Sequence, residues 1–551
     1  MSRSILSRRQ FMQFTGASAV IAAGHRLIPA WFNARAADVP ARAVSLFDGP
    51  EIQSVGFSHA DELAIPEGFV QEVLLKRGDI LNAQGERYGD HNDYLTWILR
   101  DDRTGWLWCN HENANIPLAT GDWSKKWTRE RAAMYLQNQG GSCVRIERRE
   151  DGLWRPVLPH SDNFRVDGLA TKIQLSGPAA GTEWVKGARE AIGSNSNCGG
   201  GLTPWGTLCT AEENYQDIWG DTDLGQKPSG VTEFFPRPAE HYGYIVEIDP
   251  NTREFIKHTG LGRFAHENVA FALTKDGRLA AYMGDDRSGQ CFYKFISREK
   301  FDPSAGKANR RLLGDGTLYV ADTENGRWKS LAPSENEALR NAGYDTARVC
   351  VHTRTAAKIA GGTPLARPED VEVHPVTGDI YVALTSWQPG ALDTSRPAYF
   401  KDMAGAVARA REAGGDAGAM EFTWDVFVPG GRDTGLVWPD NLAFTEGNRL
   451  LVTTDYSVKR IPVADSTQSI FGNNFLMFVP TTGPDAGKVR RLAVCPRGAE
   501  FCSPTLSPDK REIWVNVQHP GDDSSEKEIT SHWPDGGEAT PRSALAAIRR
   551  A

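Results

Sequence analysis

The chain has 551 residues, 40% hydrophobic and 24% charged, a balance that excludes both a disordered chain and a polytopic membrane protein. A formal net charge of -8 without any long Lys/Arg run argues against a nucleic-acid partner, which needs a basic surface, and favours cations. The 55 glycines and 31 prolines, with 16 tryptophans, predict many turns and short strands, and closed all-β architectures hold several hundred residues around one axis.

At the N-terminus, Ser7-Arg8-Arg9-Gln10-Phe11-Met12 reads as a twin-arginine signal. A mild apolar run from Gly16 to Ala23 and an Ala34-Arg35-Ala36 cleavage-like triplet follow. With His25 and Arg26 beside it, the run is too short to anchor in a bilayer. Residues 1–37 are therefore expected to be a signal peptide and 38–551 a single domain. The twin-arginine machinery would export it folded to the periplasm or beyond, with cofactor loaded beforehand and without stable membrane insertion.

From Asp93 onward a device recurs: a polar residue, an apolar strand, a tight turn, a second strand and another polar cluster. The first copy runs from Asp93 through YLTWIL, turns at Asp102–Gly105, and returns as WLWC to Asn110-His111-Glu112-Asn113. The second passes Thr203-Pro204-Trp205-Gly206 into TLCT and Glu212-Glu213, and the third links His266-Glu267-Asn268 to Asp285-Asp286. Arg367-Pro368-Glu369-Asp370 opens the fourth, Pro439-Asp440-Asn441 the fifth, which ends in Asp455, and the last runs through TLSPDK into EIWVNVQHPG with Glu500 upstream. Each copy has the apolar pattern and Gly/Asp/Asn turn of a β-hairpin. Six hairpins with acids at equivalent ends predict an all-β, six-bladed β-propeller whose inner strands place those ends around one mouth. Short helical insertions are expected at 125–139, 334–343 and 403–415.

Converging carboxylates without matching lysines repel one another unless cations neutralise them. The stretch from Asn197 to Asn214, NCGGGLTPWGTLCTAEEN, sets a soft thiol, Cys198, near hard carboxylates, Glu212 and Glu213. That mixture suits iron at sulfur and calcium at oxygen; the commoner fate of a lone cysteine is a small buried hydrophobe. Gly199, Gly200 and Gly201 are expected to let the backbone approach through positive φ. The eight cysteines have no CxxC or zinc-finger spacing, and no bridge between Cys495 and Cys502 is expected from proximity alone. His266, His374 and His519 are expected to satisfy backbone groups more often than to ligate metal. Asp285 and Asp286 bind calcium or cap a turn.

NCGGGLTPWGTLCTAEEN, GRFAHENVAF, YMGDDRSGQCFYKF, ARPEDVEVHP, WPDNLAF and VNVQHPGD, in this order behind a twin-arginine signal, resemble the PhoX-type alkaline phosphatases from about Asp90 to about Asp522. The resemblance implies a monomeric six-bladed propeller that hydrolyses small-molecule phosphomonoesters, with an iron pair (Fe3+) and calcium ions (Ca2+) bridged by an oxo group. It implies that Cys198 bridges the irons as thiolate, that Glu267 and Glu369 supply oxygens, and that Glu213, Asp440 and Glu500 fill the remaining acidic positions. Arg367 would grip phosphate oxygens as a rigid fork, and Asn197 and Asn214 would hold calcium or position the phosphate. The family's lysine upstream of the cysteine corresponds here to Lys186 or Arg189. Family members carry cysteine before Glu-Glu-Asn, where this chain has Ala211.

Phosphoryl transfer requires charge neutralisation and an in-line nucleophile, which a metal-bound oxide or hydroxide supplies without an activated serine. The absence of a GxSxG elbow agrees with that. Two other functions fit a six-bladed propeller: a calcium-dependent lactonase, which needs no thiolate, and a non-catalytic ligand-binding platform.

Overall fold

The computed structural model describes residues 45–386, 404–457 and 467–551. Residues 1–37, expected to be a signal peptide, lie outside these residues. Six antiparallel-rich sheets stand around one axis. Their innermost strands are Asn92–Leu99, Asn197–Leu202, Ala270–Leu273, Pro368–Val373, Pro439–Thr445 and Glu500–Leu506, which define blades 1 to 6. Each innermost strand contacts the next, and the sixth contacts the first, so the ring is closed. All six predicted hairpins are the two inner strands of a blade.

Closure is made by pairing the two ends of the described chain. The C-terminal strand Ala544–Arg550 is third in blade 6, and the early strand Phe69–Lys76 adds as its fourth, antiparallel from Phe69 opposite Arg550 to Lys76 opposite Ala544. Blade 2 carries two further strands, Lys172–Ser176 and Glu190–Ile192, outside its usual four. Between blades 3 and 4 a separate two-stranded ribbon pairs Ser288–Gln290 with Leu365–Ala366.

The core is divided among the six gaps between blades. In the strand Thr104–His111, Trp106 and Trp108 pack toward blade 2 with Leu208, Val246 and Ile248, while Leu107 and Cys109 pack toward blade 6 with Trp514 and Leu545. Alternate side chains point to opposite faces of a strand, and both faces are covered here, so WLWC has no polar side. At about 25 cal/mol per Å2 of apolar surface removed from water, such two-sided burial is the main force holding neighbouring blades together.

Two of the expected insertions are helical. Arg129–Asn138 begins at Thr128, whose hydroxyl oxygen accepts from Arg131 N at 3.2 Å, with Glu130 in the first turn. Glu337–Asn341 begins at Asn336, whose side chain accepts from Leu339 N. The third is not: Ala406–Glu412 is the third strand of blade 4, and only Ala413–Gly415 forms a 3-10 turn. Its Ala and Arg residues favour a helix in isolation. Their alternation instead buries Ala406, Ala408 and Ala410 while Arg409 and Arg411 reach Asp425.

Candidate metal centre and active site

Every innermost strand has one residue too many at the same end. In blade 1, three steps from Asn92 to Leu95 oppose two from His111 to Cys109. Blades 4, 5 and 6 repeat the mismatch at Pro368–Val371, Pro439–Leu442 and Cys502–Thr505. Blade 2 has it between Asn197 and Gly200, and blade 3 between His266 and Ala270. A bulge of this kind re-aims side chains out of the pleat. It lies at or next to Asp93, Cys198, Glu267, Glu369, Asp440 and, in blade 6, just beyond Glu500.

Two residues before the rim residue the backbone is left-handed in five blades: His91, Ser196, Arg367 and Trp438 have φ of 45°, 51°, 53° and 39°, and Gly498 has 74°. Non-glycine residues there cost about 1–2 kcal/mol each, and such strain gathers where side chains must be held in one direction. The ends of the second strands add a second tier at the same mouth: Glu112, Glu213, Asp286, Asp455 and His519.

Cys198 Sγ lies 3.1 Å from Glu267 Oε1 and 3.3 Å from Asp93 Oδ2. Cys198, Glu213 and Glu267 each offer a ligand atom within 4.8 Å of the others, and so do Glu267, Asp286 and Glu369. Glu267 thus belongs to both triads. Side-chain contacts between acids continue around the ring: Glu213 with Asp286, Glu369 with Asp440, and Glu500 with Asp455. Burial above all, with neighbouring carboxylates adding to it, pushes Glu213, Glu267 and Glu500 well up, and Glu369 and Asp440 rise chiefly through burial. Asp93 is pushed up to about 8 by burial and then Glu112. Asp93 Oδ1 and Glu500 Oε2 are buried with no hydrogen-bond partner among the described residues. Acids crowded and orphaned in this way fit a donor set for cations.

Arg367 is the main guanidinium on the rim. Its Nε and Nη2 each bind Asp286 at 2.8 Å, and Nη2 is 2.6 Å from Glu369 Oε1. Burial alone would raise the Asp286 carboxyl; Arg367 holds it below the ordinary value. Asn214 Nδ2 donates to Glu213 at 2.6 Å and to Glu112 at 3.0 Å. With Asp286, Arg287, Ser288, Gln290 and Leu224, Asn214 and Arg367 line a cleft of about 340 Å3.

Asn197 is buried one residue before the rim; its Nδ2 donates to Ser194 and Thr210, and its Oδ1 has no hydrogen-bond partner among the described residues. Other expectations are corrected. Glu212 faces away into a buried ion pair with Lys257 at 2.7 Å. Lys186 pairs with Glu240, and Arg189 precedes the outermost strand of blade 2, so neither joins the cleft. Gly199, Gly200 and Gly201 do not have positive φ. They are needed because a Cβ on Gly199 or Gly201 would stand 2.1 Å from the carbonyl oxygen of Glu267 or Val269, and one on Gly200 would meet Tyr94 at 2.5 Å. Of the histidines, His266 binds Gly262 O and His374 binds backbone N–H groups and Thr481. His519 reaches the rim, 3.3 Å from Glu500. Asp285 is held by Arg354.

The site also contains residues that the sequence reading did not offer as ligands: Asp93, Glu112, Asp455 and Asn441; Asp286, expected to bind calcium or cap a turn, lies in the all-carboxylate triad. Asp93 and Asp455 were visible as hairpin ends, and equivalence of position was the signal that could have recruited them. A second thiol, Cys502, sits 3.4 Å from Gln518 Nε2, which also donates to Asp93 Oδ2 at 2.8 Å.

A closed six-bladed propeller with a thiol and a double tier of carboxylates at one mouth places this chain among propeller proteins with a candidate metal centre. The family model for the PhoX alkaline phosphatases matches residues 51–521, and the chain belongs to that family. PhoX from Pseudomonas fluorescens, solved in complex with vanadate, a transition state analogue, is 28% identical over 91% of this chain and 98% of that one, with a TM-score of 0.79. A protein of unknown function from Dyadobacter fermentans matches at 12% identity over 87% and 99% of the two chains (TM-score 0.37). A gluconolactonase from Xanthomonas campestris matches at 10% over 89% and 98% (TM-score 0.33). No curated protein sequence matches. The protein is a phosphomonoester hydrolase.

Proposed function

We propose that the protein is an exported, iron- and calcium-dependent phosphatase whose cations sit on the rim described above. The observation that carries this reading is the pair of triads sharing Glu267, one with a thiol and one all-carboxylate. Cys198 suits iron, and carboxylate-only positions suit calcium. Cys198, Glu213, Glu267, Asp286 and Glu369 would hold the iron pair and its neighbours, with Asp440, Glu500 and Asp93 completing the oxygen donors for calcium. Bound there, these cations supply Lewis acidity toward phosphoryl oxygens and acidify water.

The chain's own groups orient the substrate. Arg367, whose Nε and Nη2 are held by Asp286 and Glu369, keeps Nη1 for a phosphoryl oxygen, and Asn214 places its amide beside the same cleft. Asn197 acts at one remove, by anchoring the strand that carries Cys198. Residues 38–551 would form one monomeric domain, released from the twin-arginine machinery into the periplasm or medium. Among the described residues no helix is long and apolar enough to cross a membrane.

Metal analysis of the exported protein, paired with an assay on p-nitrophenyl phosphate, tests this reading. Iron and calcium should both be present, EDTA should abolish turnover, and calcium should restore it. Metal-replete protein that leaves the ester intact at every alkaline pH would falsify the assignment.

A further inference from the structure

The ribbon between blades 3 and 4 belongs to no blade, and its register points to a second substrate-binding residue. Ser288 pairs with Ala366, and the next residue outward on each strand is an arginine, Arg287 before Ser288 and Arg367 after Ala366. The two guanidinium-bearing residues are therefore set opposite each other, and both line the same cleft. Like charges facing across a strand pair are destabilising. The protein offsets this with separate carboxylates: Asp286, Glu369 and Asp455 around Arg367, and Asp217 for Arg287, whose Nη2 lies 3.0 Å from Asp217 Oδ1 and donates to Asn214 Oδ1 at 3.0 Å.

The two arginines differ in freedom. Arg367 is locked bidentately by a buried acid. Asp217, by contrast, is half exposed, while the side-chain oxygen of Gln216 accepts from Nε and Nη2 of Arg287. On both arginines Nη1 is the arm not taken by a hydrogen bond among the described residues, so an anion entering the cleft meets two such arms. Among the described residues that line the cleft, Arg287 supplies the second positive charge beside Arg367.

We propose that Arg287 binds the phosphoryl group of the substrate directly, as the second arm of an anion clamp with Arg367. This rests on the phosphatase reading above. The cleft walls are mostly polar, with Leu224 as the one aliphatic side chain among the seven residues lining it. The clamp therefore selects by phosphate charge, and the small polar cleft favours hydrophilic leaving groups such as sugar or polyol phosphates over bulky apolar ones.

The test uses the full metal-replete protein and the variants Arg287→Ala and Arg287→Lys, with inorganic phosphate as the calorimetric probe. Arg287→Ala should weaken phosphate binding by about tenfold or more, as expected for a lost charge-assisted hydrogen bond. It should raise KM for glycerol phosphate in step, with iron and calcium content unchanged. Arg287→Lys should fall between, since it keeps the charge and loses the fork. Unchanged phosphate affinity in Arg287→Ala overturns the clamp, and so does a loss of affinity that tracks loss of metal, because Arg287 would then only brace the rim. A wild-type protein that neither binds phosphate nor turns over defeats the phosphatase reading instead.

Discussion

Asn441 Nδ2 lies 3.2 Å from Glu267 Oε1, a hydrogen bond that joins blade 5 to blade 3 across the channel. Its Oδ1 accepts from Ser503 N of blade 6 at 2.7 Å. One buried amide thus holds three blades and the carboxylate shared by both triads. Asn441→Leu keeps the volume and removes both bonds. It should cost about 1–3 kcal/mol, since a buried N–H and a buried carboxyl oxygen each lose a partner. Urea unfolding of metal-stripped protein reads this, and a midpoint equal to wild type would show the bridge to be dispensable.

At Gly199, as at Gly201, blade 2 passes against the backbone of blade 3. In Gly199→Ala the new methyl collides with the Glu267 backbone, which cannot rotate away as a side chain would. Overpacking of this kind costs about 1–3 kcal/mol. The expected result is lower thermal stability together with reduced metal content, because the displaced residue is itself a proposed ligand. Full metal occupancy at wild-type stability would contradict the packing argument.

Cys198→Ser replaces a soft donor by a hard one in the same place. Iron content should drop while calcium stays, and turnover should fall by more than the roughly 10–100-fold typical of outer-shell changes. Elemental analysis and a steady-state assay decide it. A Cys198→Ala protein with wild-type iron and activity would leave the thiolate no role.

The metal-stripped protein should lose stability as pH rises. Burial, and then Glu112, push the Asp93 carboxyl from its ordinary 3.8 up to about 8 in the fold. Between those values the unfolded chain binds fewer protons, so stability falls with pH, by up to about 1.4 kcal/mol per pH unit for one proton. Glu213, Glu267, Glu369, Asp440 and Glu500 are raised too and act in the same direction. Asp90 and Asp286, which burial would raise but Arg77 and Arg367 hold low, contribute stability already complete above about pH 4. Thermal midpoints measured with chelator should therefore decline from pH 5 to pH 8, and added calcium with iron should flatten the slope. A midpoint that climbs over this range would contradict cation-free crowding of the rim.

The hairpins were legible because each pairs an apolar run with a Gly/Asp/Asn turn, and the acids before them repeat at equivalent positions. Strand Ala406–Glu412 was not legible in the same way: its Ala and Arg residues favour a helix locally, and only pairing between strands Ile380–Leu384 and Phe422–Pro429 makes the alternation decisive. Arg287 escaped notice because its importance comes from register with a residue 80 positions later, and a two-residue strand such as Leu365–Ala366 leaves almost no trace in hydropathy.

Pairing of Phe69–Lys76 with Ala544–Arg550 also makes the two ends of the described chain one structural unit. A chain cut back before Ala544 loses the third strand of blade 6 and leaves Phe69–Lys76 without its partner. The innermost strands of blades 6 and 1 still touch, but their outer support is gone, so such a chain should melt earlier and hold the Glu500 side of the rim less firmly.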